Sequence, residues 1–382
     1  MLRLPVGLSG RIGVALSGGG DSVALLHLLR EAGHAVEAAT VDHRLRPESG
    51  DEARRVGADC AALGVPHRIL VWEHAAPRGN VMEAAGRARH DLLCAWARER
   101  GLSAVALAHT ADDQAEQLLI GLSRAAGIDG LCGMRADWSE GGVRWLRPLL
   151  GAGRAALRDW LTARGIGWVE DPTNADARYL RVRMRAALAG LAHLGLTTER
   201  LAESAAHLAE ARAALVAAAA EAAGRVFREQ AGALQLDRAA LAALPPETAR
   251  RLLRAAVLWL SGRRHAPRAG ALARLLSAAL AGRAATLHRC RLSGGWLARE
   301  ERGDPDPRWQ ADVPAGLSLR PLGAEGLRAA PRWRETGLPR HVLAASPALW
   351  RGATLVAAPC AGLGLSPEVR WFPTFAEFVA TH

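Results

Sequence analysis

The chain has 382 residues, half of them hydrophobic, so it is long enough for two or three domains with buried cores. No apolar stretch is long enough for a signal sequence or a membrane span, and the five cysteines form no C-x-x-C pair, so we expect a soluble cytoplasmic protein without a structural zinc or iron–sulfur site. The formal net charge is +11, and all the Lys and Arg positions are arginine. Because the guanidinium fork suits phosphate, we expect a polyanionic partner; the alternative is that a high-GC coding bias has replaced lysine by arginine.

Strand and helix patterns alternate through the first half of the chain. Short, continuous apolar runs predict strands at 12–16, 36–41, 68–72 and 104–108, and the segments between them carry helical periodicity. This alternation predicts an α/β fold with a doubly wound, mostly parallel sheet. Such sheets bind ligands at the carboxyl ends of their strands, so we expect the chemistry in the loops that follow the strands.

The loop after the first strand reads SGGGDS and leads into a helix. It is not a Walker loop, because that motif needs a lysine, and it is not a dinucleotide fingerprint, because Val23 stands where the third glycine is required. A glycine-rich turn before a helix presents backbone N–H groups to an anion, which predicts a phosphate site. The alternative is an ordinary tight turn with Asp21 or Ser22 as the helix N-cap.

Acidic residues begin the helix that follows the fourth strand. Asp113 and Glu116 are three residues apart, so they share one helix face and can hold a metal ion or an ammonium group. The alternative is that they, with Asp112, only complement the positive end of the helix dipole. His43 and His109 stand at strand ends and are functional candidates, whereas other histidines such as His74 are interpreted as ordinary surface or core residues.

The second half of the chain is informative mainly about partners. An alanine-rich pattern at 197–231 predicts one long helix or two, and further helices are predicted at 247–260 and 269–280. The sequence SGRRHAPR between the last two is either a phosphate-contacting surface or a solvated arginine face. The segment 286–300 predicts a β-hairpin with its turn at 293–295.

Five sequence blocks together carry a family resemblance. They resemble, in order and approximate spacing, the tRNA(Ile)-lysidine synthetases, a branch of the PP-loop ATP pyrophosphatases, and the resemblance covers about the first half of the chain. The PP-loop is shared by many ATP pyrophosphatases, whereas the H-x-x-D-D block followed by the D-P-[ST]-N block is typical of this branch. The blocks are SGGGDS at 17–22, VDHRLRPES at 41–49, HTADDQAEQ at 109–117, RPLL at 147–150 and DPTNADARYLRVRMR at 171–185.

The resemblance implies a two-step ligation with ATP and Mg²⁺ as cofactors. ATP adenylates the C2 carbonyl oxygen of the wobble cytidine in an isoleucine tRNA with a CAU anticodon, and the side-chain amine of free L-lysine then displaces AMP to give lysidine. A homo-oligomer stays open as an alternative to a monomer. The expected domains are a PP-loop catalytic domain of the adenine nucleotide alpha hydrolase-like fold at 1–193, a mostly helical tRNA-binding domain at 194–300, a Pro-, Gly- and charge-rich linker at 301–316 and a small C-terminal domain at 317–382.

The resemblance and the chemistry of these side chains together predict the site residues. At 86–90 the chain reads GRARH where the family usually has Arg-x-x-Arg-Tyr, and we favour Arg89 over Arg87 as the catalytic arginine. The predicted catalytic residues are Asp113, Glu116 and Arg89, and the predicted metal ligands are Asp21 and Asp113. The predicted ATP-binding residues are Ser17, Gly18, Gly19, Gly20, Asp21, Ser22, Asp42 and His43. The predicted substrate- and tRNA-binding residues are Asp112, Arg124, Asp171, Asn174, Arg181, Arg183, Arg185, Arg263, Arg264 and Arg268.

Two functions of other classes are the alternatives. The first is another PP-loop tRNA-modifying enzyme such as a thiolase, but these enzymes commonly use cysteine persulfide or cluster chemistry, for which the scattered cysteines offer no pair. The second is a non-catalytic RNA- or nucleotide-binding protein with an inert loop. Such a protein would be expected to lose Asp21 or the carboxylate pair, and this chain has kept both.

Overall fold

The computed structural model describes residues 2–5, 7–74, 81–170, 178, 180–263, 265–364 and 369–381. The chain divides into two compact units, Met1–Arg212 and Ala213–His382. The finer division proposed from the sequence, with boundaries after residues 193, 300 and 316, stays a prediction. Within the described ranges, no helix combines the length and the apolar character that crossing a bilayer requires.

A six-stranded, mostly parallel sheet forms the centre of the first unit. Its strands are β1 (Ile12–Ala15), β2 (Val36–Asp42), β3 (His67–Val71), β4 (Ala104–Ala106), β5 (Asp137–Glu140) and β6 (Val143–Leu146), in the order β3-β2-β1-β4-β6-β5. In the described part of this sheet, β1, β2, β3, β4 and β6 pair in parallel, and β5 runs antiparallel to β6. The four predicted strands and the predicted α/β class are confirmed. The hairpin of β5 and β6 was missed, because each strand has four residues and mixes polar with apolar positions.

Helices cover both faces of this sheet, as the doubly wound prediction requires. On one face, Ile12 and Val14 pack in a cluster with leucines of two helices, and on the other face Trp96 packs in a cluster with Val105. Gly13 lies under Trp96, and a Cβ built there would approach the indole to 2.8 Å. The helices of this unit are α1 (Gly20–Glu31), α2 (Ser49–Ala62), α3 (Val81–Glu99), α4 (Ala111–Ser123), α5 (Ile128–Leu131), α6 (Arg154–Thr162) and α7 (Leu180–Leu191).

The strand order reverses beside β1, and this reversal positions the candidate site. The chain runs from β1 outward to β2 and β3, and then returns to place β4 on the other side of β1. Open α/β sheets bind ligands at such a switch point, outside the carboxyl ends of the strands. The loop that begins α1 and the loop that begins α4 follow the two strands at this point.

The second unit combines helices with a five-stranded antiparallel sheet, ordered β7-β8-β11-β10-β9. The pattern at 197–231 forms one helix, α8, which begins within the first unit and ends where β7 starts. The two other predicted helices and the predicted hairpin, now β10 and β11, are confirmed. The elements are α8 (Thr198–Val226), β7 (Phe227–Gln230), β8 (Ala233–Leu236), α9 (Arg238–Ala242), α10 (Pro246–Ser261), α11 (Ala269–Leu280), β9 (Ala285–Leu287), β10 (Cys290–Ser293) and β11 (Trp296–Arg299).

The segment 301–316, predicted as a linker, contains a buried ion pair. Arg308 Nη2 lies 2.6 Å from Asp306 Oδ2 and also donates to the carbonyl oxygen of Gly232, and the guanidinium lies 3.9 Å from the ring centre of Trp259. These contacts anchor residues 306–308 to the second unit. The remaining elements are β12 (Trp309–Gln310), β13 (Ser318–Pro321), α12 (Gly323–Ala329), α13 (Arg340–Ala345), β14 (Pro347–Arg351), β15 (Thr354–Ala357), β16 (Arg370–Trp371) and α14 (Phe375–Thr381).

We expect Arg308→Ala to lower the free energy of unfolding by about 3–5 kcal/mol, because the buried Asp306 carboxylate would lose its counter-charge. Arg302→Ala is the matched control in the same segment, since Arg302 is exposed and pairs with Glu300; its effect should be no more than about 1 kcal/mol. Urea denaturation of the full chain, followed by tryptophan fluorescence, measures both. Equal losses in the two variants would contradict a structural role for the buried pair.

Candidate active site

Backbone conformation shapes the glycine-rich loop that connects β1 to α1. Gly18 has a φ of +83°, and a Cβ built there would lie 2.7 Å from Cγ2 of Val56, so glycine is required for both reasons. Gly19 is the N-cap of α1 and makes no side-chain capping hydrogen bond. The alternative in which Asp21 or Ser22 caps this helix is therefore wrong, because both lie inside its first turn.

Two serine hydroxyls and the first turn of α1 surround this loop. The Ser22 hydroxyl donates to the carbonyl oxygen of Gly19 at 2.8 Å, and its oxygen accepts from the backbone N–H of Ser17 at 3.2 Å. The Oγ atoms of the two serines are 3.2 Å apart. The first turn of a helix leaves N–H groups without intrahelical partners and carries the positive end of the dipole. Rotation of the two hydroxyls away from these partners would let them join the N–H groups of the turn in binding a phosphate-like anion.

Arg154, the first residue of α6, lies at the centre of the acidic residues. Its Nε is 3.1 Å from Oδ2 of Asp21, its Nη2 is 3.3 Å from Oδ1 of Asp113, and its Nη1 is 3.6 Å from Oε1 of Glu116. The backbone N–H of Arg154 donates to Oδ2 of Asp112 at 2.7 Å. Acids from the glycine-rich loop and from α4 thus converge on one guanidinium group.

This acid cluster, Asp21, Asp112, Asp113 and Glu116, keeps a negative charge after its ion pairs are counted. A second arginine, Arg185 on α7, donates to Oε1 of the fully buried Glu116 at 2.9 Å. Four carboxylates against two guanidinium groups leave two negative charges. Desolvation raises the pKa of Asp21, and the charge of Arg154 offsets this only in part. Further positive charge bound here would stabilise the ionised carboxylates.

The acid cluster also has free carboxylate oxygens. Among the described residues, Oδ1 of Asp21 and Oε2 of Glu116 are buried and have no hydrogen-bond partner. The described residues contain no group of three or more His, Cys, Asp or Glu side chains arranged to hold a metal ion. Mg²⁺ in nucleotide enzymes uses one or two carboxylates and takes its remaining ligands from phosphates and water. Asp21 and Asp113 fit such a site, and Glu116 fits an ammonium group.

Asp113 also stabilises the start of α4. Its Oδ2 accepts from the backbone N–H and the hydroxyl of Thr110, at 2.8 and 2.9 Å, in a capping box. Desolvation acts to raise the pKa of Asp113, but the charge of Arg154 and these hydrogen bonds outweigh it, so the pKa is lowered. Asp113 therefore contributes to the helix N-terminus, as the dipole alternative expected, and also contacts Arg154.

A cavity of about 410 Å³ lies within the first unit, and its wall carries three arginines. These are Arg89 of α3, Arg147 after β6 and Arg181 of α7, and they lie with His109. Arg147 Nε donates to Nδ1 of His109 at 3.0 Å. The rest of the wall includes the indoles of Trp138 and Trp145 and the side chains of Leu93, Leu107, Gln117 and Met134. We call this the arginine cavity.

The electrostatics of the arginine cavity favour an anion. Desolvation and then the charge of Arg89 lower the pKa of Arg147 to about 10. Desolvation and then the charge of Arg181 lower the pKa of Arg89. Desolvation and Arg147 lower the pKa of His109 to about 4, so its imidazole is neutral at pH 7. Desolvation is the largest cause of each shift, and the charge of a neighbouring arginine adds to it. A bound phosphate would offset the repulsion between the arginines and favour their charged forms.

An aromatic group lies at the carboxyl ends of β2 and β3. The ring of His43 meets Trp72 edge-on at 6.0 Å, and Trp72 lies 4.0 Å from the ring of His74. Within the described structure, Nδ1 of His43 is buried without a partner. The neighbouring Asp42 accepts from the hydroxyl of Ser49 at 2.7 Å, which holds the loop after β2. The structure thus places His74, interpreted from the sequence as an ordinary residue, beside the predicted nucleotide-binding histidine.

Comparisons with known proteins agree with these features. Residues 7–191 match the PP-loop domain family. The tRNA(Ile)-lysidine synthase of Ruegeria pomeroyi is 47% identical over 92% of this chain and 89% of its own length. The synthases of Novosphingobium aromaticivorans and Zymomonas mobilis are 42% and 38% identical, each over 78% of this chain and over 92% and 90% of their own lengths. The chain belongs to the tRNA(Ile)-lysidine synthase family. The resemblance drawn from the sequence motifs is confirmed.

The tRNA(Ile)-lysidine synthase motifs lie in several places in the structure. Arg181 lines the arginine cavity and Arg185 reaches Glu116, whereas Arg183 is exposed and donates to the carbonyl oxygen of Arg178. Arg124 is the exposed C-cap of α4, eight residues beyond Glu116 and roughly 12 Å along the helix axis. In the second unit, Arg263 and Arg268 are exposed at the two ends of the loop between α10 and α11. The predicted residues Asp171, Asn174 and Arg264 lie outside the described residues.

Two arginines at the centre of this tRNA(Ile)-lysidine synthase site were not predicted. Arg147 belongs to the RPLL block, but the block was used only for the resemblance. Arg154 follows Gly153 at the start of α6, where the helix dipole disfavours a cation. A cation at that position needs nearby acids, and this is the signal from which Arg154 could have been found.

Proposed function

We propose that this chain ligates L-lysine to C2 of the wobble cytidine of isoleucine tRNA with a CAU anticodon, through an adenylated cytidine and with release of AMP and pyrophosphate. The observation that carries the proposal is the convergence of Asp21, Asp113 and Glu116 on Arg154, directly beside the glycine-rich loop. This arrangement joins an anion site to a cation site, and the two-step reaction needs both. ATP supplies the anion and lysine supplies the ammonium group.

The glycine-rich loop is proposed to hold the pyrophosphate portion of ATP. Its N–H groups and the Ser17 and Ser22 hydroxyls stabilise negative charge as pyrophosphate leaves. Bound Mg²⁺ would be held by Asp21 and Asp113, and it would neutralise charge on the phosphates. His43 and Asp42 lie at the end of β2, next to the loop at the switch point, which supports their predicted contact with the nucleotide.

Glu116 and Asp113 are proposed to bind an amino group of lysine. Glu116 is fully buried, and its unpartnered Oε2 is a strong acceptor for an ammonium hydrogen. A neutral analogue of lysine would leave this oxygen without a partner, so the site would select the charged amino acid. Holding lysine next to the adenylated base turns two encounters into one positioned reaction.

The arginine cavity is proposed to receive the cytidine and the phosphate joined to it. Its volume lies within the range of small-ligand pockets, and its indoles provide surfaces on which a base can stack. Arg89 and Arg181 place positive charge there, which suits an α-phosphate that becomes bonded to the C2 oxygen. This assignment keeps Arg89 as the catalytic arginine.

Other functions have weaker support. A thiolase mechanism through cysteine persulfide needs a reactive thiolate, and burial raises the pKa of Cys60 to about 11 and of Cys290 to about 12. Burial also raises the pKa values of Cys132 and Cys360. A non-catalytic nucleotide-binding protein has no need for buried carboxylate oxygens without partners. Ligation therefore accounts for more of the geometry.

The deciding experiment combines the purified chain with ATP, radiolabelled lysine and an isoleucine tRNA transcript with a CAU anticodon. Label should appear in acid-precipitable RNA, and a transcript with uridine at the wobble position is the control. The chain contains no lysine, so its side chains provide no ε-amine to consume the adenylated tRNA. Absence of label in RNA, with ATP and tRNA binding intact, would refute the proposal.

The arginines of the sequence between α10 and α11 are proposed to contact tRNA phosphates. Each phosphate that is neutralised releases counterions, so the log of affinity falls against the log of salt by about 0.7–0.9 per contact. Replacing Arg263, Arg264 and Arg268 together by Gln should weaken tRNA binding and reduce this slope by up to about 2–3. Filter binding at several salt concentrations measures both quantities.

A matched control for this triple variant replaces three exposed arginines of the same unit by Gln. Arg328, Arg332 and Arg334 serve this purpose, since they remove equal charge from a different surface. The control should change the slope by less than one. An equal effect from both triple variants would assign the loss to overall charge, and the loop would then be a solvated face.

A further inference from the structure

His109 lies between β4 and α4 and lines the arginine cavity. Its Nδ1 lies 3.0 Å from Nε of Arg147, with hydrogen-bond geometry. The Nε of a guanidinium group always carries a hydrogen and can only donate, so Nδ1 of His109 must accept. A neutral imidazole that accepts at Nδ1 carries its proton on Nε2.

The surroundings of His109 keep the imidazole neutral. Three positive groups face it, Arg147, Arg89 and Arg181, and one negative group, Asp113. Together with desolvation, this balance lowers the pKa of His109. If Nδ1 of His109 were protonated as well as Nε2, its N–H would point at the Nε–H of Arg147, and two donors would face each other.

Arg147 is itself held in place by two further contacts. Its Nη1 donates to the carbonyl oxygen of Arg135 at 2.8 Å, and its guanidinium lies 4.1 Å from the ring centre of Trp138. Both contacts restrict the guanidinium plane, so the direction of its Nε–H toward His109 is restricted as well. Arg147 can therefore select the tautomer of His109 through this hydrogen bond.

We propose that Arg147 is a positioning residue that holds His109 as the neutral Nε2–H tautomer, so that His109 donates a hydrogen bond in the reaction and does not serve as a base. The donor role rests on the proposed function, and the tautomer does not. The Nε2–H would stabilise an oxygen that gains negative charge in the cavity, on the phosphate or on the cytidine. His109 neither gains nor loses a proton in this role.

The tautomer is tested by NMR of the ligand-free protein with ¹⁵N-labelled histidine. The chain has 13 histidines, and His109→Gln identifies the signals of His109. At pH 7 the His109 ring should show a protonated Nε2 and an unprotonated Nδ1. In Arg147→Met the preference should weaken, because the donor to Nδ1 is gone while side-chain volume is nearly kept. Arg144→Met is the control: Arg144 lies on β6, three residues before Arg147, and pairs with Asp137 at the surface, so the signals should not change.

The donor role is tested by comparing His109→Gln with His109→Ala in the lysine-transfer assay. A Gln amide can donate a hydrogen bond but cannot accept a proton as a base, so His109→Gln should stay within about tenfold of the unmodified chain. Loss of a general base would reduce turnover by about 10²–10⁴ in both variants. A protonated Nδ1 or a charged imidazole in the NMR spectrum overturns the tautomer, and equal loss in both His109 variants overturns the donor role. Because the NMR measurement needs no ATP, lysine or tRNA, its result is independent of whether the proposed ligation occurs.

Discussion

Replacing Asp21 by Asn is expected to reduce tRNA-dependent ATP–pyrophosphate exchange by about 100-fold or more, the size of effect seen when one preorganised electrostatic group is removed. Asp21 is the acid through which the glycine-rich loop reaches the acid cluster, and its free Oδ1 is available to a cation that bridges the phosphates. The Asn side chain keeps the volume and removes the charge. Binding of tRNA should not change, because the substitution lies in the predicted ATP site.

Stability should distinguish this loss of function from unfolding. Desolvation raises the pKa of Asp21, so the folded chain binds this proton more tightly than the unfolded chain does. A carboxyl group with a raised pKa lowers stability as the pH rises from its unfolded pKa to its folded pKa, and the full penalty persists at higher pH; Asn removes that penalty. The lost hydrogen bond to Arg154 offsets part of this gain. The free energy of unfolding of Asp21→Asn should therefore stay within about 1 kcal/mol of that of the unmodified chain at pH 7.

Glu31→Gln is the matched control for the Asp21 variant. Glu31 lies on the same helix, at its other end, and pairs with Arg164 at the surface. It should show normal pyrophosphate exchange. If Asp21→Asn and Glu31→Gln exchange pyrophosphate equally well, Asp21 has no part in adenylation and the assignment of the loop fails.

Glu116→Gln is expected to leave adenylation largely intact and to reduce lysine transfer by about 100-fold, mainly through a higher KM for lysine. The carboxylate is fully buried, and its free oxygen is the proposed acceptor for the ammonium group. The measurement compares pyrophosphate exchange with label transfer at several lysine concentrations. Lysine transfer at an unchanged KM would contradict the assignment.

A double variant separates this role of Glu116 from its ion pairs. Glu116→Gln leaves Arg185 and Arg154 with less counter-charge, which lowers stability as well. Adding Arg185→Gln restores the charge balance, so stability should recover while lysine transfer stays low. Recovery of both would mean that Glu116 only balances charge. Asp113 is less suitable for this test, because Asp113→Asn also weakens the capping box with Thr110, by about 1 kcal/mol.

Most of the sheet of the first unit could be predicted, because each strand from β1 to β4 is a short apolar run between helical segments. The β5 and β6 strands could not be predicted in this way. Their four-residue length and mixed polarity give no clear period, and Trp145 is buried in a cluster to which the distant helix α3 contributes. Local periodicity indicates which residues are apolar, but not which distant segment will cover them.

The acid cluster shows the same limit at the level of the site. The spacing of Asp113 and Glu116 predicted a shared helix face, and the sequence of the glycine-rich loop predicted a phosphate site. That Asp21 joins these two features depends on the strand order, which places β4 beside β1 although nearly 90 residues separate them in the chain. Neither motif, taken by itself, indicates that the two lie close together in the folded chain.

The sequence alone therefore determined the glycine-rich loop, the carboxylate pair on one helix face and the family, since each depends on residue types at short spacing. The roles of Arg154 and Arg147 depend on folding, because a guanidinium group obtains its function from the acids or the imidazole that it meets. Arg154 meets Asp21 from 133 positions away, and Arg147 meets His109 from 38 positions away. Charges and hydrogen bonds act through space over a few ångströms, and only the packed sheet and its helices bring these groups within that range.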